Sequence, residues 1–159
     1  YNDHFQVPLP PNHRFPMSKY ALVRKALQRE LTTRGLASFH PSPLATLNEL
    51  TACHTAEYVD RYVNNKLSEK ENRRVGFPWS QASVNRSLSS TGGTVAAMRE
   101  VCTTPAVLSG HLAGGTHHAF ADRGEGYCVF NGEAAKPVSR TGATTAPPSA
   151  LQTRAQAQR

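Results

Sequence analysis

The sequence predicts an α/β fold in which helices pack against a parallel sheet. Its 159 residues are about one domain's worth of chain, which argues against a two-domain architecture. Helical patterns, with apolar residues at spacings of three and four, alternate with short apolar runs of strand composition. The run "PAVLSGHLAG" leads into a glycine loop with two adjacent histidines, and ligand sites in α/β folds collect where parallel strands end.

The first predicted elements are a strand, a loop and a helix. The stretch "DHFQVPL" has the pattern of a short strand or extended arm, and the prolines of "PPNHRFP" indicate a loop. A helix is predicted over 18–34, and Gly35 is placed to end it in a left-handed conformation. We expect its apolar face to join the core through Tyr20, Val23, Leu27 and Leu31.

The middle of the chain carries signals for helix starts. The stretch "ASFHP" is a candidate second strand. Two capping boxes, Thr46 with Glu49 and Ser68 with Glu71, bracket helical turns that include "TAEYVDRYVNN". These segments are interpreted as scaffold.

A long helix and a buried strand complete the predicted fold. After the loop "RRVGFPWS", Ser80 can cap a helix to about residue 101, with inward residues Val84, Leu88, Val95 and Met98. Gly92 and Gly93 each cost this helix about 1 kcal/mol relative to alanine, so we expect close packing against them. A buried strand is then predicted over 106–112.

Composition narrows the class of protein. The net charge is +7, but Lys and Arg are mixed with acids as on solvated helix faces, which disfavours direct nucleic-acid binding. The sequence has no apolar run near the roughly 20 residues that cross a bilayer, so no membrane partner is expected. Three cysteines without a C-x-x-C pair indicate reduced thiols in an intracellular, cytoplasmic protein.

The stretch "GGTHHAFADRGEGYCVFN" concentrates the reactive side chains. Adjacent strand residues point to opposite faces, so His117 and His118 reach one cleft only if the backbone leaves strand geometry. Gly114 and Gly115 permit this departure. The residues alone therefore indicate a candidate polar cleft with a general base, and they leave open a purely structural role for the histidines.

These motifs carry a family resemblance. "LAGGTHHAFADRGEGYCVFN" resembles the signature of the histone deacetylase family, and "DHFQVPLPPNHRFPMSKYALVRKAL", "CHTAEYVDRYV" and "GFPWSQASVNRSLSSTGGTVAAM" are similar to its bacterial and class IV-like branch. The resemblance covers residues 2–131 in the correct order. It implies a three-layer α/β/α arginase/deacetylase-like parallel sheet, truncated here after the first few strands. The implied reaction is zinc-dependent hydrolysis of acetyl-lysine or a small acylated amine.

The resemblance also implies roles for individual residues. His117 and His118 match the tandem catalytic histidines, with His118 as general base and His117 tuning charge and helping to protonate the leaving amine. Gly126 and Tyr127 match the substrate-binding residues that line the acyl-lysine tunnel, with Cys128 on the floor. A small buried thiol is the alternative for Cys128. Two further acids, Asp122 and Glu125, are interpreted as loop and surface charges rather than ligands.

The chain departs from the family at Gly132, where the family continues to a strand ending in Asp-x-His. After Glu133 the sequence contains no Asp, Glu, His, Cys or Tyr, so the family's zinc ligands have no counterpart. Metal coordination lowers the free energy needed to deprotonate water by roughly 12 kcal/mol, whereas a general base lowers the activation barrier by roughly 3 to 5 kcal/mol. We therefore expect no metal ligands, no bound zinc and no activity from this chain alone.

Two regions follow from this departure. Residues 1–131 are interpreted as the N-terminal part of a deacetylase-like domain, and 132–159 as a divergent, disordered tail with too few large aliphatic residues to form a core. In the family topology the strand at 106–112 would then lack a partner on one side. Such an edge predicts self-association.

Three functions remain at the level of sequence. The leading one is a deacetylase-family amide hydrolase that is inactive as this chain. The second is a non-catalytic binding or regulatory remnant of a deacetylase. The third is a cysteine hydrolase that uses Cys128 with a histidine, which thiol alkylation would separate from chelator-sensitive deacetylase chemistry.

Overall fold

The computed structural model describes residues 1–105 and 108–135, and its regular elements within them are helices. Five helices occur in this part of the chain: α1 (Lys19–Thr32), α2 (Leu47–Thr51), α3 (Ala56–Val63), α4 (Glu69–Val75) and α5 (Gln81–Thr103). None of the helices in the described residues is both long and apolar enough to cross a membrane.

The predicted parallel-sheet α/β/α fold is wrong for the described residues. They contain no sheet, and their only strand-like pairing is an isolated antiparallel bridge between Glu125 and Cys128. The candidate strands at 3–9 and 37–41 are loops, and Leu108 in the third is 89% exposed rather than buried. A strand persists only where a neighbouring strand accepts its backbone hydrogen bonds.

Single backbone hydrogen bonds, rather than the hydrogen-bond ladder of a sheet, connect the loops near the predicted strands. The Ser42 amide donates to the Tyr1 carbonyl at 2.8 Å, and the Ala45 amide donates to the Leu88 carbonyl at 3.0 Å. Without a sheet in the described residues, the predicted edge for self-association loses its basis. Residues 106 and 107 of the third candidate strand, and the predicted disordered tail beyond residue 135, lie outside the described residues.

The predicted helix starts are confirmed. Thr46 and Ser68 each form a capping box, with the side chains of Glu49 and Glu71 accepting from the respective cap amides at 2.7 and 2.8 Å. Ser80 caps α5 in the same reciprocal way. Caps of this kind contribute about 1 kcal/mol each, and they fix where the short helices begin.

The core is built around α3 and the segment that follows the tandem histidines. Phe130 is buried and packs edge-on against Tyr58 and Tyr62 of α3 at centroid distances of 6.0 and 5.5 Å. The other buried apolar residues of this cluster are Ala45, Leu50, Val59, Leu67, Val75, Phe77, Val84 and Val129. This cluster anchors the segment that carries the site.

Helix α1 forms where predicted but its expected core face is wrong. It begins after Ser18 and Gly35 follows it at φ +65°, yet none of its residues is buried. A bidentate ion pair between Arg24 and Asp3, at 2.6 and 2.8 Å, attaches α1 to the N-terminal arm. Polar and aromatic contacts at one edge of α1 therefore replace the expected apolar packing.

The expected close packing at the paired glycines of α5 is confirmed. A Cβ at Gly92 would lie 2.4 Å from the Pro43 carbonyl oxygen, and one at Gly93 would lie 2.4 Å from His111 Cδ2. Of the predicted inward residues of α5, Val84 and Val95 are buried, while Leu88 and Met98 are half-buried. The glycines thus let the 41–45 loop and His111 rest directly on the helix backbone.

Candidate functional site

A cleft of about 270 Å³ brings the four predicted site residues together. His117, His118, Gly126 and Tyr127 all line it, and Cys128 lies beside them. Helix α5 contributes Ser83, Arg86, Ser87 and Ser90 to the lining, and α1 contributes Lys19 and Tyr20. The sequence analysis did not predict that polar residues of α5 line the same cleft.

The tandem histidines stand on a glycine loop at the exposed edge of the cleft. Gly115 has φ +80°, a conformation that favours glycine, so the backbone is free of strand geometry here. The two imidazoles lie 4.2 Å apart between centroids, and both side chains are exposed. His117 Nδ1 lies 2.8 Å from the Gly115 carbonyl oxygen. Because a carbonyl only accepts, this bond places the proton on Nδ1 and leaves Nε2 as the acceptor.

Asn131 supports the loop that carries the tandem histidines, here called the histidine loop, through buried hydrogen bonds. Its side-chain amide donates to the carbonyls of His117 and Ala119 at 3.3 and 3.0 Å. Its backbone amide donates to His54 Nε2 at 2.9 Å. Both Asn131 and His54 are buried, and burial lowers the pKa of the His54 imidazole, which keeps it neutral as an acceptor.

The sequence reasoning missed this supporting pair. His54 lies in "CHTAEYVDRYV", which was interpreted as scaffold, and Asn131 was quoted only as the end of the signature. A signal was available, because each polar residue directly follows an apolar residue that becomes buried, Cys53 before His54 and Phe130 before Asn131. What it did not reveal is that two residues 77 positions apart bond to each other.

Gly126 and Tyr127 form the turn of a small hairpin. Both have positive φ, +57° and +67°, as in a type I′ turn, and the flanking residues Glu125 and Cys128 exchange backbone hydrogen bonds of 2.9 Å. A tyrosine in this conformation is strained by about 1 kcal/mol. The amides of the two turn residues donate to Arg74 and Val75 carbonyls at 3.1 and 2.8 Å, which holds the strained turn in place.

The Tyr127 ring completes an aromatic wall. It contacts Phe15 and Phe77 at centroid distances of 5.0 and 5.2 Å, and His13 at 5.9 Å. Gly76 makes room for it, since a Cβ there would lie 2.8 Å from Tyr127 Cε1. Tyr127 remains 39% exposed, so its ring is available to a ligand that enters the cleft.

Cys128 has the environment of a buried thiol rather than a nucleophile. Burial raises the pKa of the Cys128 thiol, and hydrogen bonds with the backbone of His118 and His117 oppose this rise only in part. The thiolate is the reactive species, so a raised pKa disfavours nucleophilic attack at neutral pH. The geometry therefore does not favour the cysteine-hydrolase alternative.

Asp122 and Glu125 lie on the exposed surface, away from the histidines' cleft. Asp122 pairs with its neighbour Arg123 at 3.0 Å. Both acids line a second, polar cleft of about 640 Å³, where Arg61 of α3 pairs with Glu71 of α4 at 2.7 Å. The charges of this second cleft largely neutralise each other.

The described residues do not fit the zinc ion that the resemblance implies. In this part of the chain no three His, Cys, Asp or Glu side chains are grouped so as to hold a metal ion. His117 Nδ1 is occupied by the Gly115 carbonyl, and the nearest carboxylate, Glu133, is 3.9 Å from the same nitrogen. A single pair of imidazoles is short of the three or four protein ligands that zinc sites use.

Comparisons with known proteins agree with the resemblance. The family model for the histone deacetylase domain matches residues 13–136. An uncharacterized protein of Picosynechococcus sp. (strain ATCC 27264 / PCC 7002 / PR-6) is 34% identical over 131 residues, which are 82% of this chain and 43% of that protein. The acetoin utilization protein AcuC of Bacillus subtilis (strain 168) is 29% identical over 99 residues, 57% of this chain and 26% of AcuC. The chain thus spans less than half the length of either relative.

Proposed function

The chain belongs to the histone deacetylase family, and we propose that it supplies the proton-transfer side chains and one channel wall of an amide hydrolase. The substrate class that the family implies is an acylated amine, such as acetyl-lysine. The observation that carries the proposal is the shared cleft of His117, His118, Gly126 and Tyr127.

The aromatic wall suits an acylated amine. The chain between an amide and a lysine backbone is aliphatic, and the exposed face of Tyr127 with Phe15 and Phe77 offers apolar surface of matching kind. The strained turn at Gly126 and Tyr127 holds this surface next to the tandem histidines, since a Cβ at Gly126 would lie 3.5 Å from His118 Cδ2. A ligand against Tyr127 would therefore place its amide within reach of the imidazoles.

The two histidines divide the proton transfers of amide hydrolysis. We assign His118 as the base that takes a proton from the attacking water, because its side chain is exposed at the cleft and lies next to the turn at Gly126. The His117 ring is oriented by its Nδ1–H bond to Gly115, which leaves Nε2 to accept the proton that His118 takes from water and to pass it to the leaving amine. The C–N bond breaks as that amine gains its proton, and a carboxylic acid is the other product.

We further propose that this chain alone does not turn over acetyl-lysine. The described residues do not fit zinc, and the sequence after Glu133 adds no Asp, His, Glu or Cys. General-base catalysis alone supplies roughly 10²- to 10⁴-fold acceleration, far less than amide hydrolysis requires. The chain's contribution is then recognition and proton transfer rather than complete catalysis.

A turnover assay and a binding assay together test this proposal. An acetyl-lysine peptide is incubated with the chain and added zinc, and N-butylacetamide binding is followed through the imidazole NMR signals of His117 and His118. We expect no turnover, and ligand-dependent shifts that disappear in Tyr127→Ala. His40→Ala serves as the matched control, since His40 is exposed and does not line the cleft.

Two results would contradict the proposal. Zinc-dependent turnover by the wild-type chain that is lost in His118→Ala would show that a complete metal site forms. Absence of any shift at saturating N-butylacetamide would show that the cleft does not take an acylated amine.

A further inference from the structure

Arg86 is a buried cation on the wall of the cleft. Arg86 is only 6% exposed, and it lines the same cleft as the tandem histidines. Ser83, Ser87 and Ser90 share this face of α5 at spacings of three and four residues, so the wall is a continuous polar stripe. A buried guanidinium costs several kcal/mol to desolvate unless an anion compensates it.

Within the described residues no carboxylate forms a hydrogen bond or ion pair with Arg86, and Asp3 compensates its charge only at longer range. Arg86 Nη1 contacts only neutral oxygens, Asn2 Oδ1 at 3.4 Å and the Phe5 carbonyl at 3.3 Å, and the guanidinium stacks 4.2 Å from the Tyr20 ring centroid. The charge of Asp3 favours the charged form of Arg86, but both Asp3 oxygens accept hydrogen bonds from Arg24. A guanidinium has five donors, so most of its bonding capacity is unused by strong acceptors.

The cleft as a whole is lined by more positive than negative charge. Its lining, drawn entirely from described residues, contains Lys19 and Arg86 but no Asp or Glu. Lys19 Nζ lies over the rings of Phe15 and Tyr20 at 4.6 and 5.0 Å rather than beside a carboxylate. A cleft with two cations, two histidines and no acid attracts an anionic ligand and repels a cationic one.

We propose that Arg86 anchors a carboxylate carried on the acyl group of the ligand, so that the cleft selects acidic acyl amines such as succinyl amides. This inference rests on the proposed function, which places the ligand's amide at His117 and His118. Those histidines are exposed and Arg86 is buried, so a ligand entering from solvent has its amine part outside and its acyl part toward Arg86. A carboxylate at the end of that acyl chain would receive charge-assisted bonds from the guanidinium.

Matched ligands test the inference by calorimetry at low salt. N-propylsuccinamate carries an acyl-side carboxylate, and N-propylbutanamide is its neutral counterpart. 4-Acetamidobutanoate carries the carboxylate on the amine side, and acetate is the bare anion. We expect N-propylsuccinamate to bind at least about tenfold more tightly than the other three, the effect of one charge-assisted hydrogen bond.

Variants assign the preference to Arg86. Arg86→Met should abolish the preference for N-propylsuccinamate, and Arg86→Lys should retain part of it, because the charge remains without the planar fork. If Arg86→Met does not fold, Lys19→Met decides, with an expected loss of about twofold. Lys25→Met is its control, since Lys25 is exposed on the same helix and does not line the cleft.

The refuting results are distinct from those of the proposed function. Equal binding of N-propylsuccinamate and N-propylbutanamide would overturn the inference while leaving an acyl-amine cleft intact. Equal binding of 4-acetamidobutanoate or of acetate would also overturn it, by showing a carboxylate site without acyl-side selection. Failure of all amides to bind would instead count against the proposed function as well.

Discussion

Replacing Asn131 with alanine should detach the histidine loop from its support. The Asn131 side chain makes three hydrogen bonds, donating to the carbonyls of His117 and Ala119 and accepting from the Ala134 amide at 3.0 Å. Asn131 is buried, so water does not replace the lost partners without rearrangement. At about 1 kcal/mol for each bond, the free energy of unfolding should fall by about 3 kcal/mol. This loss corresponds to a melting temperature lower by roughly 6 to 12 °C.

The assay is urea unfolding followed by tyrosine fluorescence, together with a thermal melt. Asn131→Asp keeps the shape of the side chain but replaces the donating NH2 group with a carboxylate oxygen that faces two carbonyls, so it should destabilise at least as strongly. Asn64→Ala is the matched control, because the Asn64 side chain bonds only to exposed Asp60 at 2.7 and 3.1 Å. We expect the control to change the free energy of unfolding by less than about 1 kcal/mol.

A loss below about 1 kcal/mol in Asn131→Ala, or one equal to that of Asn64→Ala, would refute this reasoning. It would mean that the carbonyls of His117 and Ala119 do not depend on Asn131. A well-folded Asn131→Asp would refute the assigned direction of the hydrogen bonds, since a carboxylate cannot donate to a carbonyl.

Two further predictions concern pH and packing. Burial lowers the pKa of both His54 and His111, the latter to about 4 from 6.5, so the unfolded state binds more protons below pH 6.5. The free energy of unfolding should be highest above pH 6.5 and should fall as the pH is lowered toward 4. In His111→Gln it should fall less steeply with pH. A free energy of unfolding that does not change over this pH range would contradict the prediction. Gly93→Ala should destabilise by about 1 to 3 kcal/mol, because its Cβ would lie 2.4 Å from His111 Cδ2 and 2.6 Å from Ser42 Oγ. Gly110→Ala is the control, since nothing lies within 4 Å of a Cβ there, and equal stability of the two variants would disprove the packing argument.

The sequence by itself determined where the capped helices begin, and it places the tandem histidines, Gly126 and Tyr127 in one short stretch. The capping boxes at Thr46 and Ser68 join residues three positions apart, so the side chains that define them lie within one helical turn. The signature around His117 and His118 likewise spans a short stretch, and the cleft keeps Gly126 and Tyr127 near them through a two-residue turn. Interactions of such short range are encoded by neighbouring residues.

The tertiary structure alone decided what surrounds that site. The bond between His54 and Asn131 joins positions 77 apart, and Arg86 lines the cleft because α5 packs beneath the N-terminal arm. The expected sheet failed for the same reason, since strand pairing depends on a partner distant in sequence, and an apolar run does not specify one. Burial of Arg86 without a directly bonded carboxylate is likewise a property of the packed chain, because charge pairing depends on which distant residues meet.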